Sequence, residues 1–238
     1  VRVNSAADDA AGLAVAGKME SQLRGINMSI RNAQDGVGLI QTAESGVNEV
    51  RNMVLRIREL AVQMANGIYE NTPDRSNAQL EVTALIDQVT LIAENTRFND
   101  VQIIDGSFTG VTIQAGNTTA ETITLSFVDM ASSGLSIDTA TVATQSDAKV
   151  AIGTMDTALQ TISQEQAKFG SLINRLDYSI SNQSRASVMT EQALGRIMDA
   201  DFATESTALS KSQILNQAAT SMLAQANQSK SLLLQLIQ

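Results

Sequence analysis

INMSIRNAQDGVGLIQTAESGVNEVRNMVLRIRELAVQMANG, residues 26–67, places an apolar or small residue at every seventh position: Ile26, Ala33, Ile40, Val47, Val54 and Ala61. A companion column of Leu23, Ile30 and Val37 changes sides near Ile40 and continues as Ala43, Val50, Ile57 and Met64. That period belongs to a helix pressed against partner helices along a narrow seam. Arg31, Asn32, Gln41, Asn48, Arg51 and Asn52 fill the remaining faces. The pattern extends over residues 5–66. At a rise of about 1.5 Å per residue such a helix makes a rod of roughly 90 Å, longer than a compact domain of this chain length is wide, so an elongated molecule is expected. Gly12, Gly17, Gly25, Gly36, Gly38 and Gly46 interrupt it. Each costs a helix about 1 kcal/mol relative to alanine, so they are expected to serve close packing or to mark bends.

Working outward, Gly67 reads as the left-handed residue that closes this helix. Thr72-Pro73-Asp74 then opens a second one, with Thr72 as N-cap and Pro73 at the first helical position. Val82, Leu85, Ile86, Val89 and Ile92 mark its buried face, and it is expected to end near Arg97. Beyond Phe98 the period switches to two. Val101 and Ile103, then Val111 and Ile113, flank an Asp105-Gly106 turn signal, and Ile123, Leu125 and Phe127 alternate with polar residues, which predicts an antiparallel patch of about three strands. A third long helix is expected over residues 147–197. One of its columns is Ile152, Leu159, Ile173, Ile180 and Leu194; the other is Met155, Ile162, Phe169, Leu176 and Ile197. Gln166, Gln183, Ser187 and Thr190 interrupt them in the manner of register-setting polar residues. A last helix over residues 204–236 carries Ala208, Leu215, Met222 and Leu236 seven or fourteen apart. The earlier helices already satisfy one another, so this final stripe calls for a partner outside the present sequence. The fold class is therefore mainly α: an elongated bundle of long antiparallel coiled-coil-like helices with a small β-hairpin region at one end.

Composition narrows the function. The 238 residues include no His, no Cys, no Trp and a single Pro. Without His or Cys there is no Ser-His triad, no HExxH zinc site, no thiol nucleophile and no disulfide. Neither a catalytic constellation, a metal site nor a cofactor site is expected. A net charge of -9 and a pI near 4.5 argue against a nucleic-acid partner, which needs clustered Lys and Arg. Leu232-Leu233-Leu234 is broken by Gln235, far short of the roughly 20 apolar residues of a membrane span. The paired carboxylates Asp8-Asp9 and Asp199-Asp201 read as caps, bends or subunit contacts, since neighbouring carboxylates on a helix do not converge.

The opening VRVNSAADDAAGLAVAGKMESQLRG, the stretch NMVLRIRELAVQMANG, the motif NTRFND followed by IIDG, and the closing SKSQILNQAATSMLAQANQSK resemble bacterial flagellin. The resemblance covers residues 1 to 106 and 146 to 238. It implies a structural protein, not an enzyme: a subunit exported through the flagellar type III apparatus that polymerises with identical subunits into a hollow helical filament for swimming motility, outside the bacterial cell. Residues 1–197 would form the outer-tube domain, with the hairpin region 98–145 inserted between its helices. Residues 198–238 would be the C-terminal inner-tube helix, lacking the N-terminal partner helix that the family usually carries. Only about 40 residues separate the two halves, which suggests a minimal type without large outer domains.

The same resemblance supplies candidate sites. Leu215, Ala218, Met222 and Leu236 would pack in the inner tube, and the C-terminal helix would also engage the flagellin export chaperone. Arg56, Leu60 and Glu81 occupy positions that in similar flagellins contact the flagellin-sensing Toll-like receptor of animal hosts; the plainer reading makes Arg56 and Glu81 polar outer-tube residues and has Leu60 pack at a subunit contact. Alternatives are the hook-filament junction protein, which shares the packing logic, and a fragment acting as an adhesin or immune-receptor ligand. The Ser/Thr-rich stretch 107–146 is a candidate for O-linked sugars.

Overall fold

A computed structural model describes residues 2–237, with side chains as far as residue 227. Four long helices dominate: α1 (Ala10–Met64), α2 (Ser76–Asn95), α3 (Gln145–Met198) and α4 (Phe202–Ile237). Between α2 and α3 lie two separate antiparallel pairs. The first joins β1 (Arg97–Phe98) to β2 (Val101–Gln102), and the second joins β3 (Val111–Gln114) to β4 (Thr122–Leu125) with Val111 opposite Leu125. The chain divides into two compact units: residues 21–189, and residues 1–20 together with 190–238.

In the larger unit the seven-residue column predicted for α1 is the core seam. Ala33, Ile40, Val47, Val54 and Ala61 are buried, joined by Ala43, Val50, Ile57 and Met64. On α3 one of the two predicted columns goes fully inside: Met155, Ile162, Phe169 and Leu176 are buried, while Ile152, Leu159, Ile173 and Ile180 pack partly covered against them. Val82, Ile86, Val89 and Ala93 supply the face of α2. The polar interruptions of α3 find distant partners. Gln166 Nε2 donates to Asn48 Oδ1 at 2.7 Å, Gln183 Nε2 to the Ala115 carbonyl at 3.2 Å, and Ser187 Oγ to Asn27 Oδ1 at 3.2 Å. Each bond is made in one register of α3 only, which is how polar positions specify alignment in an otherwise slippery apolar seam.

The β region seats on α1 through missing side chains. A Cβ on Gly25 would lie 1.8 Å from Asn117 Oδ1, one on Gly36 would meet Ile113 Cδ1 at 2.4 Å, and one on Gly46 would meet Thr96 Oγ1 at 2.7 Å. These glycines are notches, which accounts for part of the helix-propensity cost. On the other side Phe127 stacks on Phe108, centroids 5.1 Å apart, and meets Phe169 of α3 edge-on at 4.9 Å. Three of the chain's five Phe residues thus anchor this region, a geometry that adds to plain area burial.

Three local expectations are corrected. The first concerns the end of α1. Gly67 does not adopt a left-handed conformation, since the glycines with positive φ are Gly106 and Gly110. The last carbonyls of α1 are instead satisfied from outside: Arg75 Nε donates to Met64 O at 2.9 Å, Arg75 Nη2 to Asn66 O at 2.8 Å, and Gln145 Nε2 to Ala65 O at 3.0 Å. Second, Thr72 does not cap α2. Its extended backbone (φ -136°, ψ 122°) is what a following proline favours, a wide turn over Asn71–Arg75 intervenes, and α2 proper starts at Ser76. Third, the hairpin turn is not Asp105-Gly106. Asn99 and Asp100, with φ of 50° and 63°, form the two-residue turn between β1 and β2, the positive-φ pair that a tight hairpin requires and that Asn and Asp tolerate. Asp105 serves a bend: its carboxylate accepts the Ser107 N–H and hydroxyl. Two pairs replace the single three-stranded patch.

Candidate functional site

Two surfaces carry the candidate residues. On the first, neighbouring helices are tied by ion pairs. Arg56 of α1 reaches Glu81 of α2, with Nη2 to Oε1 at 2.8 Å, and Glu59 at 3.3 Å. Hydrogen bonding to Glu81, then to Glu59, raises the Arg56 pKa above its already high value. Two residues on, Arg58 Nε meets Asp156 of α3 at 2.6 Å, which raises the Arg58 pKa in the same way. These pairs are open to solvent, so their worth lies in orientation more than in stability. Leu60 does not share this surface. It is 4% exposed and belongs to the subunit's own apolar core, placed there because it sits one turn from Ile57 and Met64 on the buried side of α1. What a partner can reach here is the Arg56, Glu59 and Glu81 cluster, and Glu59, which the sequence reading passed over, completes it.

The second surface is α4. Its start is built by Asp201, whose Oδ1 accepts the N–H groups of Ala203 at 3.0 Å and Thr204 at 3.4 Å while Oδ2 accepts the Thr204 hydroxyl at 2.9 Å. The Thr204 side-chain bond, followed by these backbone bonds, lowers the Asp201 pKa, as expected of a carboxylate at a helix N-terminus. Asp9 plays a similar part at α1, accepting the Gly12 N–H at 2.8 Å, and Asp8 gathers the N–H of Ser5 and Asn4 with a lowered pKa. The carboxylates of Asp8, Asp9 and Asp201 are thus engaged in local turns. Along α4, Leu209, Ile214, Leu215, Met222 and Leu223 are 59–72% exposed, and Ala218 is exposed as well. The side chain of Leu236 lies outside the described residues. Among the described residues no His, Cys, Asp or Glu cluster is arranged to hold a metal ion, and no helix is long and apolar enough to cross a membrane.

An α1 with this seam, its partner α3, and a solvent-facing apolar C-terminal helix match two family models. Residues 1–109 match the bacterial flagellin N-terminal helical region, and residues 152–237 the bacterial flagellin C-terminal helical region. The chain belongs to the bacterial flagellin family. Flagellin from Halalkalibacterium halodurans is 37% identical over all of this chain and 88% of its own length, flagellin from Bacillus subtilis is 34% identical over all of it and 89% of its own, and the flagellar filament 33 kDa core protein of Treponema phagedenis is 38% identical over the same full span and 88% of its own. Among solved structures, Bacillus cereus flagellin superposes with a TM-score of 0.58 at 33% identity, covering 64% of this chain and 88% of that one. A putative flagellar hook-associated protein from Vibrio parahaemolyticus superposes at 0.67 with 13% identity, over 81% of this chain and 100% of that one; at that identity the likeness is one of fold. Flagellins are the structural proteins of the extracellular flagellar filament, and the relatives above favour that reading over a junction protein or a free-standing adhesin.

Proposed function

We propose that this flagellin builds the filament by presenting α4 to identical subunits. In this reading residues 1–197 form the outer-tube domain and residues 198–238 the inner-tube helix, with Leu215, Ala218, Met222 and Leu236 facing neighbouring copies. The observation that carries it is the exposure of Ile214, Leu215, Ala218 and Met222, whose spacing puts them on one side of α4. Apolar burial is worth roughly 25 cal/mol per Å², and a stripe of this kind left in water marks an interaction surface. Contacts of this heterologous type do not close on themselves and so extend into an open helical polymer. Before assembly the same stripe suits a helix-binding export chaperone, which would shield it.

The Arg56 and Glu81 pair is the second surface we assign a partner: the host's flagellin-sensing Toll-like receptor, with buried Leu60 supporting α1 from beneath. Seeding the purified chain onto flagellin filament fragments and imaging the ends by electron microscopy tests the first assignment. Growth that Met222→Lys suppresses supports it, and equal growth of both proteins overturns it. A receptor reporter assay tests the second: Arg56→Ala is expected to weaken signalling, and an undiminished response removes Arg56 from the contact.

A further inference from the structure

Asn66-Gly67 is the one Asn-Gly step in the sequence, and it sits exposed in the turn after α1. The Asn66 carboxamide oxygen accepts the Ile68 N–H at 3.3 Å, a turn that curls the side chain forward over the Gly67 peptide. Among the described residues the Gly67 N–H has no hydrogen-bond partner, so the nitrogen is not held elsewhere. Gly67 also has no Cβ to resist the approach.

Against this turn lies Arg75, 3% exposed. Its guanidinium donates to Met64 O at 2.9 Å, to Asn66 O at 2.8 Å, to Tyr69 O, and to Asn71 Oδ1 at 3.0 Å. All four acceptors are neutral, and among the described residues no carboxylate forms an ion pair with it. A buried cation held only by neutral acceptors carries a desolvation cost that a counter-charge would offset.

We propose that Asn66 is a self-modification site: it cyclises onto Gly67, water opens the ring to isoaspartate, and the new carboxylate becomes the counter-ion of Arg75. The Gly67 nitrogen bonds to Asn66 Cγ as the Cγ–NH₂ bond breaks, and the departing amide nitrogen takes the proton from Gly67 and leaves as ammonia. Water then cleaves the bond between the Gly67 nitrogen and the Asn66 carbonyl carbon, so the main chain continues through Cγ. The balance is one water consumed and one ammonia released, with no oxidant or reductant. Opening at Cγ instead gives ordinary aspartate. In the isoaspartate the oxygen that now accepts from Arg75 Nη2 belongs to a free carboxylate, so the existing bond becomes a charge-assisted one.

Ageing the full chain in mildly alkaline buffer and mapping its peptides by mass spectrometry tests the chemistry. Asn66 is expected to gain isoaspartate several-fold faster than Asn4 or Asn117, which are also exposed but precede Ser5 and Thr118. Gly67→Ala is expected to slow the reaction by a similar factor; its Cβ would have Gln145 Nε2 as nearest neighbour at 3.4 Å, so the variant fits. An intact Asn66 in protein whose Asn4 or Asn117 has converted, or equal ageing of Gly67→Ala, overturns the site. The counter-ion is read from the thermal midpoint of the deamidated fraction, separated from fresh protein by its extra charge and with its isoaspartate share measured by the same peptide mapping. A midpoint at or above that of fresh protein near neutral pH, falling relative to it as acid protonates the new carboxylate, supports the pairing. A midpoint below that of fresh protein throughout overturns it.

Discussion

Arg75 concentrates more of the local architecture than any other polar side chain. It closes α1 from outside by bonding Met64 O and Asn66 O, and it pins the following turn through Tyr69 O and Asn71 Oδ1. A planar guanidinium can satisfy several acceptors in fixed directions where an ammonium cannot. Replacing Arg75 by Leu would strand the buried Met64 carbonyl and the part-buried acceptors around it, and each orphan costs about 1–3 kcal/mol when no water reaches it. The expected loss is about 3 kcal/mol by urea denaturation, with Arg75→Lys falling between Leu and the parent. Equal stability of the Leu variant would mean that water reaches these carbonyls. Nothing in the local sequence announces this role, because Arg75 lies eleven residues beyond Met64 and reads as an ordinary polar residue in a turn. The nearby Gly67 offered a local explanation for the helix end that the fold does not use.

At the scale of elements, glycines separate into two kinds that the sequence alone does not distinguish. Gly46 is a notch: a Cβ would press on Thr96 Oγ1 at 2.7 Å, Thr96 Cγ2 at 2.9 Å and Ile104 Cδ1 at 3.0 Å. Gly153 and Gly170 on α3 have open space where a Cβ would stand. Gly153→Ala and Gly170→Ala are therefore expected to raise stability by about 1 kcal/mol each through helix propensity. Gly46→Ala gains the same propensity but must push Thr96 and Ile104 out of well-packed positions, and a net loss of about 1 kcal/mol or more is expected. Chemical denaturation of the three variants separates the two kinds, and a stabilised Gly46→Ala would show that the seat of the β region is loose. Helix existence and seam were legible because the seven-residue period spans dozens of residues in α1 and α3. The strands were less so. Asn99 and Asp100 compete with Asp105-Gly106 as turn formers, and the choice is made by the burial of Ile103 and Ile104 against the helices, a tertiary fact. Leu60 belongs with these cases: its place beside Ile57 and Met64 was visible in the spacing, yet family resemblance drew it to the surface.

For the molecule as a whole, the division of apolar residues between a closed core and an open helix sets folding apart from association. Val47, Val54, Ile162 and Phe169 are wholly buried within one chain, so truncating any of them weakens the subunit itself. Leu215 and Met222 are 59% and 72% exposed, so the single chain gains little from them. The acidic balance of -9 keeps such a chain dispersed until many weak apolar contacts act together. Val54→Ala is expected to lower the thermal midpoint and, through it, the yield of polymer. Leu215→Lys with Met222→Lys is expected to leave the midpoint of the larger unit unchanged while abolishing sedimentable polymer. Calorimetry paired with sedimentation measures both quantities on the same samples. If the double Lys variant instead melts earlier in step with its loss of polymer, α4 is part of the folding unit of the free chain, and its exposed stripe cannot be held in reserve for neighbouring copies.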